Sequence, residues 1–299
     1  MEIPNHTHGV PITTWQQGVD YTFATRDTWR KCPKQGGRVN TSNEINTRHF
    51  SRIMGRTFPL VEIKNPVMQT VARQLEEEGK SNATINRIFS AVSTVLNHCA
   101  FDELIPQPNK FRYRKETEGR VTFFTKDHVT QLEAIASKVF MRTDLKDLIR
   151  FAAFTGMRRG EIYKIRAKDI LLEEGVVHVG GVPTQTTKAK NWRKIPLHPT
   201  LYENLSQRLE GVADSVQIFG DEWSNLDQIC EAFNKCVKYL RIGEDYTFHT
   251  LRHSFATWHV TAGTDIRTIM QLMGHKRIET TLRYAKVQDK AAIAAMNNI

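Results

Sequence analysis

The sequence predicts a mainly α protein with a small antiparallel β-sheet, arranged as two domains. Three observations carry this. Apolar residues recur at helical spacing through most of the chain. One stretch alone, DILLEEGVVHVGGVPTQTTKAKNWRKIPLH (169–198), alternates and breaks at EEG and GG, as short antiparallel strands do. A length of 299 residues suits two cores rather than one.

In chain order, residues 1–12 read as a flexible tail whose His6 and His8 are solvated. Trp15, Val19, Phe23 and Trp29 then mark a helix from Thr13 to about Lys31, before Gly36 and Gly37. Ser42 or Asn43 caps a second helix that ends near Gly55. Pro66 opens a third, closed by Gly79. Ser81 caps a fourth, whose stripe is Ile85, Ile88, Phe89, Val92, Val95, Leu96 and Cys99. The helical domain is expected at 13–105. Residues 106–120, with prolines and the basic run KFRYRK, read as a linker. The second domain, 121–299, opens at Thr125 as N-cap and has a further helix over about Thr143–Thr155. After the strands come helices in HPTLYENLSQRLEG, DQICEAFNKCVKYL, FHTLRHSFATWHVTAG, IRTIMQLMG, ETTLRYAKV and AAIAAMNN.

Composition narrows the function classes. Lys and Arg number 42 against 32 Asp and Glu, a formal charge of +10 and a pI near 9.5. Such an excess attracts polyanions, DNA foremost. The four cysteines are scattered and form no C-x-x-C pair, which argues against zinc or a disulfide framework and for a reducing cytoplasm. No apolar run reaches transmembrane length, and the N-terminus has no signal-peptide pattern.

The chemistry concentrates in Tyr246–Val287. It offers His249 and Arg252 three apart, then Gly274–His275, then Tyr284 nine residues on. Cation and imidazoles can hold a phosphodiester while the phenol attacks it. No metal cluster accompanies them, and no cofactor is expected. A phenol of pKa near 10 is only about one part in a thousand ionised at neutral pH, so it needs a base or a positive field.

HTLRHSFAT followed by MGHKRIETTLRYAKV resembles the H-x-x-R, G-H and Tyr boxes of tyrosine recombinases, the group containing phage integrases and the Xer resolvases. TGMRRGEI (155–162) resembles the family's first-arginine box, and TTKAKNWRKIPL (186–197) its lysine-bearing β-hairpin. Four such stretches in order make the resemblance specific. It covers the chain from about Val121 onward, and the preceding segment more faintly.

The resemblance implies a helical SAM-like core-binding domain followed by a mixed α/β catalytic domain. It implies Arg158 and Arg252 as cations on the phosphate, Arg158 being favoured over Arg159 because it lies two after Gly156. His249 would accept or relay the phenol proton, and His275 would hydrogen-bond the phosphate. Tyr284 would be the nucleophile. Lys188, with Lys190 as the competitor, would protonate the leaving 5′-oxygen. Glu161, either an orienting carboxylate or an ordinary surface one, stands three beyond Arg158. His253 and His259 are read as structural. Lys80, Arg87, Lys110, Arg112, Arg114 and Lys115 are candidate DNA contacts, or else solvated charges.

The implied activity is site-specific cleavage and rejoining of DNA strands through a 3′-phosphotyrosine, integrating or excising a phage or mobile element without metal or high-energy cofactor. The implied partners are duplex DNA with core-type sites, a homotetramer on two duplexes and DNA-bending accessory proteins, with no membrane. The terminal AAIAAM helix would dock on its own domain or on a neighbouring subunit. Residues 1–12 leave little room for the arm-binding domain of larger phage integrases. The alternatives are a Xer-like dimer resolvase or a transposon or integron enzyme, a type IB topoisomerase-like relaxing enzyme, and a non-catalytic DNA-binding regulator.

Overall fold

The computed structural model describes residues 12–26, 28–29, 41–116, 121–180, 192–220 and 222–285. The chain forms two compact units, Met1–Gly119 and Arg120–Ile299.

The first unit is helical. Helix α1 (Trp15–Thr25) starts at Thr14, whose hydroxyl accepts from the Gln17 amide while the Gln17 side chain caps Thr14 in return. It stops six residues short of the expected Lys31, because Arg26 leaves the helical region. Trp29 still reaches the core, packed 5.0 Å from the Phe23 ring. Helix α2 (Thr41–Met54) precedes Gly55, and α3 (Asn65–Glu77) carries Pro66 in its first turn. Helix α4 (Asn82–Phe101) is capped by Ser81, whose Oγ accepts from the Thr84 amide. Its expected stripe is buried throughout and packs with Trp15, Phe50, Met68 and Leu75.

The stretch expected as a linker differs over its described residues. Residues 106–116 lie along α3 and α4 as an irregular strap belonging to the first unit. Asn65 donates to the Lys110 carbonyl (3.0 Å) and accepts from the Arg112 amide (2.8 Å). Asn86 donates to the Arg114 carbonyl and accepts from its amide, both at 2.8 Å, and Asn82 donates to the Lys115 carbonyl. Side-chain amides thus take the place of a neighbouring strand, since each offers both donor and acceptor. Phe111 and Tyr113 pack against Phe89. The basic run is anchored at its aromatics, which the charge pattern alone conceals.

The second unit opens with α5 (Lys126–Ala134), which continues through a π turn at Ile135–Val139, then α6 (Thr143–Thr155) and the short α7 (Arg159–Ile162). The three expected strands are β1 (Ile170–Leu171), β2 (Val176–Val179) and β3 (Arg193–Pro196), antiparallel in that order. Val177 pairs with Ile195, and Val179 with Arg193. Helices α8 (Tyr202–Leu209), α9 (Leu226–Leu240), α10 (Phe248–Thr261) and α11 (Ile266–Met273) follow, then a helical segment at 279–285.

Helix α10 packs on α6, α9 and α11, so it is buried on most faces. Two of its side chains are tied to the Phe124 backbone: Ser254 Oγ accepts from the Phe124 amide, and Trp258 donates to the Phe124 carbonyl. No helix among the described residues is long and apolar enough to cross a membrane.

Candidate active site

The site forms where the ends of α6 and α11 meet α10. Helix α6 terminates at Gly156 in the left-handed region (φ +61°). A Cβ there would lie 2.4 Å from the Phe255 ring, so both backbone and space demand glycine. The turn presents the Gly156 carbonyl to α10, where Arg252 Nη1 donates to it at 2.6 Å. Arg252 Nη2 donates to the Met273 carbonyl at the end of α11 (2.5 Å). This guanidinium is only 3% exposed, and no carboxylate lies within ion-pair distance of it among the described residues. Burial, reinforced by the positive charge of Arg158, lowers its pKa to about 10, which still leaves it protonated at neutral pH.

Arg158 sits at the N-cap of α7. Its guanidinium donates to Glu161 Oε1 (3.0 Å) and to the Gly274 carbonyl (3.1 Å), while its amide donates to Glu161 Oε2 (2.8 Å). Unlike Arg252 it remains partly open to solvent. Arg159 turns away to α9, donating to the Leu226 carbonyl and the Cys230 sulfur.

Glu161 holds a second guanidinium that the sequence reading did not single out. Arg193 Nη1 and Nη2 donate to its two oxygens at 3.1 and 2.8 Å, and Arg193 Nε donates to the Leu272 carbonyl (2.8 Å). The signal was available: alternation along β3 puts Ile195 inward, and Arg193 two residues back shares that face. Gly274 (φ +62°) lies against this group, and a Cβ there would stand 2.8 Å from Arg193 Nη1.

Burial alone would raise the Glu161 pKa. Hydrogen bonds from Arg193 and the Arg158 amide, with both positive charges, outweigh it and bring the carboxyl from 4.5 to about 2. The folded value is the lower one, so the stabilisation is complete above the unfolded pKa and is lost as pH falls from 4.5 through about 2. The shift corresponds to about 3 kcal/mol. Thermal melts across this range are expected to fall more steeply for the natural chain than for Glu161→Gln. Parallel curves would refute the assignment.

His275 follows Gly274, with Nδ1 2.8 Å from Thr281 Oγ1. Burial and the Arg252, Arg158 and Arg193 charges push its pKa down to about 4. His249 faces solvent on α10, with its ring edge-on to His253 at 4.8 Å. The protein mass beneath it, then Arg252 and Arg158, lower its pKa.

Tyr284 is 2% exposed and packs with Phe255, Ala256, Val260, Ile269 and Met273. Its hydroxyl lies 2.6 Å from His253 Nδ1. His253, expected to be merely structural, therefore touches the phenol directly. One turn of α10 separates positions 249 and 253, which puts both imidazoles on the same flank. Burial raises the Tyr284 pKa, while Arg283 and Arg252 pull against it.

Arg158, Arg252, His249, His275, Tyr284 and Glu161 thus come together around the end of α11. Lys188 and its competitor Lys190 lie outside the described residues, as does the expected terminal helix. Lys80, Arg87, Lys110, Arg112 and Lys115 are exposed on the first unit, whereas Arg114 is paired with Glu76 at 3.1 Å. Among the described residues no group of three His, Cys, Asp or Glu side chains is placed to hold a metal ion.

The mostly helical catalytic fold and this cluster of guanidinium, imidazole and phenol groups define the class: tyrosine recombinases, enzymes that cleave and rejoin DNA strands by transesterification. The model of the phage integrase family matches residues 122–291, and the chain belongs to that family.

Its relatives include the tyrosine recombinase XerA of Thermococcus onnurineus, 29% identical over 222 residues (72% of this chain, 74% of the relative). Another is XerC of Chlamydia pneumoniae, 26% identical over 242 residues (76% and 74%). Among solved structures, the Tn1549 transposon integrase in complex with transposon right end DNA superposes with a TM-score of 0.72 at 18% identity (94% and 99% covered). A lambda integrase dimer bound to a core site gives 0.69 at 18% identity (91% and 77%).

Proposed function

We propose that this protein is a site-specific integrase that moves a phage or other mobile element, with Tyr284 as nucleophile. The observation that carries the reading is Arg252: a buried guanidinium whose hydrogen-bond partners among the described residues are carbonyls, electrostatically coupled to Tyr284. Such a charge calls for an anion, and a DNA phosphate supplies one. Arg158 and Arg252 meet the charge that grows on the non-bridging oxygens in the pentacoordinate transition state. His275 donates to the same phosphate. The Tyr284 oxygen–phosphorus bond forms as the bond to the 5′-oxygen breaks. The phenol gives its proton to an imidazole of α10, and the 5′-oxygen gains one from Lys188.

The product is a 3′-phosphotyrosine and a free 5′-hydroxyl. A 5′-hydroxyl of another strand reverses the step, so the ester bond itself conserves the energy for rejoining. The working assembly is a homotetramer on two duplexes with core-type sites, acting in the cytoplasm, with bending proteins setting direction. A dimer-resolving role is the second reading, favoured by the Xer relatives.

The test is covalent capture. A nicked duplex, recovered from a randomised pool by denaturant-resistant attachment to the natural chain, should yield one adduct peptide containing Tyr284. An adduct on another residue, or none, overturns the reading. The strap adds a second expectation. Replacing Lys110 and Arg112 by Ala should lower the salt slope of DNA binding by about 2, near 0.9 for each phosphate no longer neutralised. A gel-shift titration over salt checks this, and an unchanged slope would remove both residues from the DNA-binding surface.

A further inference from the structure

We infer that His253 is the catalytic proton acceptor of the Tyr284 phenol, and that it works only when a phosphate occupies the site. This rests on Tyr284 being the nucleophile. A general base must lie within hydrogen-bond reach of the proton it takes. His253 Nδ1 is 2.6 Å from the Tyr284 hydroxyl, and no other side chain among the described residues is hydrogen-bonded to that oxygen. His249, the group marked by the H-x-x-R box, meets His253 ring to ring instead.

The gating follows from what surrounds the imidazole. His249 and Arg252 face it from its own helix, Arg283 and Tyr284 from the segment 279–285, and His275 from the turn after α11. Burial, then the charges of His249, Arg283, Arg252 and His275, hold its pKa down to about 4, while burial holds the phenol above its ordinary value. At rest the pair is neutral: the phenol donates to an uncharged ring, and transfer between them is strongly uphill. A DNA phosphate brings negative charge to the cations that suppress imidazolium formation, so His253 gains proton affinity when substrate is present. The phenol proton then moves to Nδ1 as the oxygen bonds to phosphorus. The 5′-oxygen leaves and takes its proton from the leaving-group side. Without DNA the nucleophile stays protonated and shielded from stray electrophiles.

The test measures the capture rate on the nicked duplex against pH. Asparagine at 253 keeps an acceptor near the Nδ1 position but cannot take a proton there. His253→Asn should capture about 10²–10⁴-fold more slowly at neutral pH, with a rate rising tenfold per pH unit. The natural chain should be nearly flat from about pH 6 to 9. His253→Gln provides a second variant, and gel-shift binding of the duplex reports whether each is folded. Equal rates, or a loss equal at every pH, overturn the inference. So does a natural chain whose own rate climbs tenfold per unit, a result needing no variant. Tyr284→Phe separates the two claims. Capture surviving in that variant sinks the nucleophile reading, whereas capture abolished there but normal in His253→Asn sinks only the role of His253.

Discussion

Tyr284→Phe is expected to abolish covalent capture, with a loss of at least about 10⁴-fold, while leaving the fold intact. Removing the reacting atom of a covalent mechanism is among the largest single-residue effects known, because the remaining groups have nothing to activate. The ring packs against Phe255, Val260, Ile269 and Met273, and phenylalanine preserves that packing. The missing hydroxyl leaves one partner, His253 Nδ1, which is not fully buried and can turn to water. Melting temperature and gel-shift affinity should therefore stay close to those of the natural chain. Adduct formation read on a denaturing gel is the decisive measurement.

Arg193→Ala should be the most damaging change outside the reacting groups. Arg193 is 8% exposed, and its guanidinium satisfies both oxygens of Glu161 and the Leu272 carbonyl. Its removal leaves a largely covered carboxylate, 21% exposed, with only Arg158 to answer it. Breaking such a pair from one side costs about 3–5 kcal/mol, or roughly a 10 °C fall in Tm for a unit of this size. Lysine should recover only part of this, since an ammonium cannot reproduce the fork across two oxygens. A fall of less than about 1 kcal/mol would show that solvent replaces Arg193 and that the network is not a structural centre. Activity should decline further than stability, because Glu161 would then pull on Arg158 alone.

Much of this was legible in the residues. Helical spacing and caps located α2, α3, α4 and α10 closely, because Ser81, Pro66 and Gly55 act locally. The breaks at EEG and GG gave the three strands. The spaced boxes brought forward Arg158, His249, Arg252, His275 and Tyr284, which do meet in space. Three things were hidden. The end of α1 is set by Arg26, which no turn residue announces. The strap at 106–116 depends on Asn65, Asn82 and Asn86, polar residues that look like ordinary helix surface until the chain returns to them. His253 and Arg193 make their contacts across 31 and 32 positions of sequence, and no periodicity reports a partner so distant.

The end of α11 has an implication for how this protein can change. Three consecutive carbonyls, those of Leu272, Met273 and Gly274, each receive a different arginine: Arg193, Arg252 and Arg158. Groups that a helix terminus normally leaves to water are here the mounting points of the cations. One residue inserted into this eight-residue helix would rotate its terminus by about 100° and unseat all three together. The length of α11 is thus as tightly constrained as any side chain in the site, and a single-codon insertion or deletion there should be less tolerated than most substitutions.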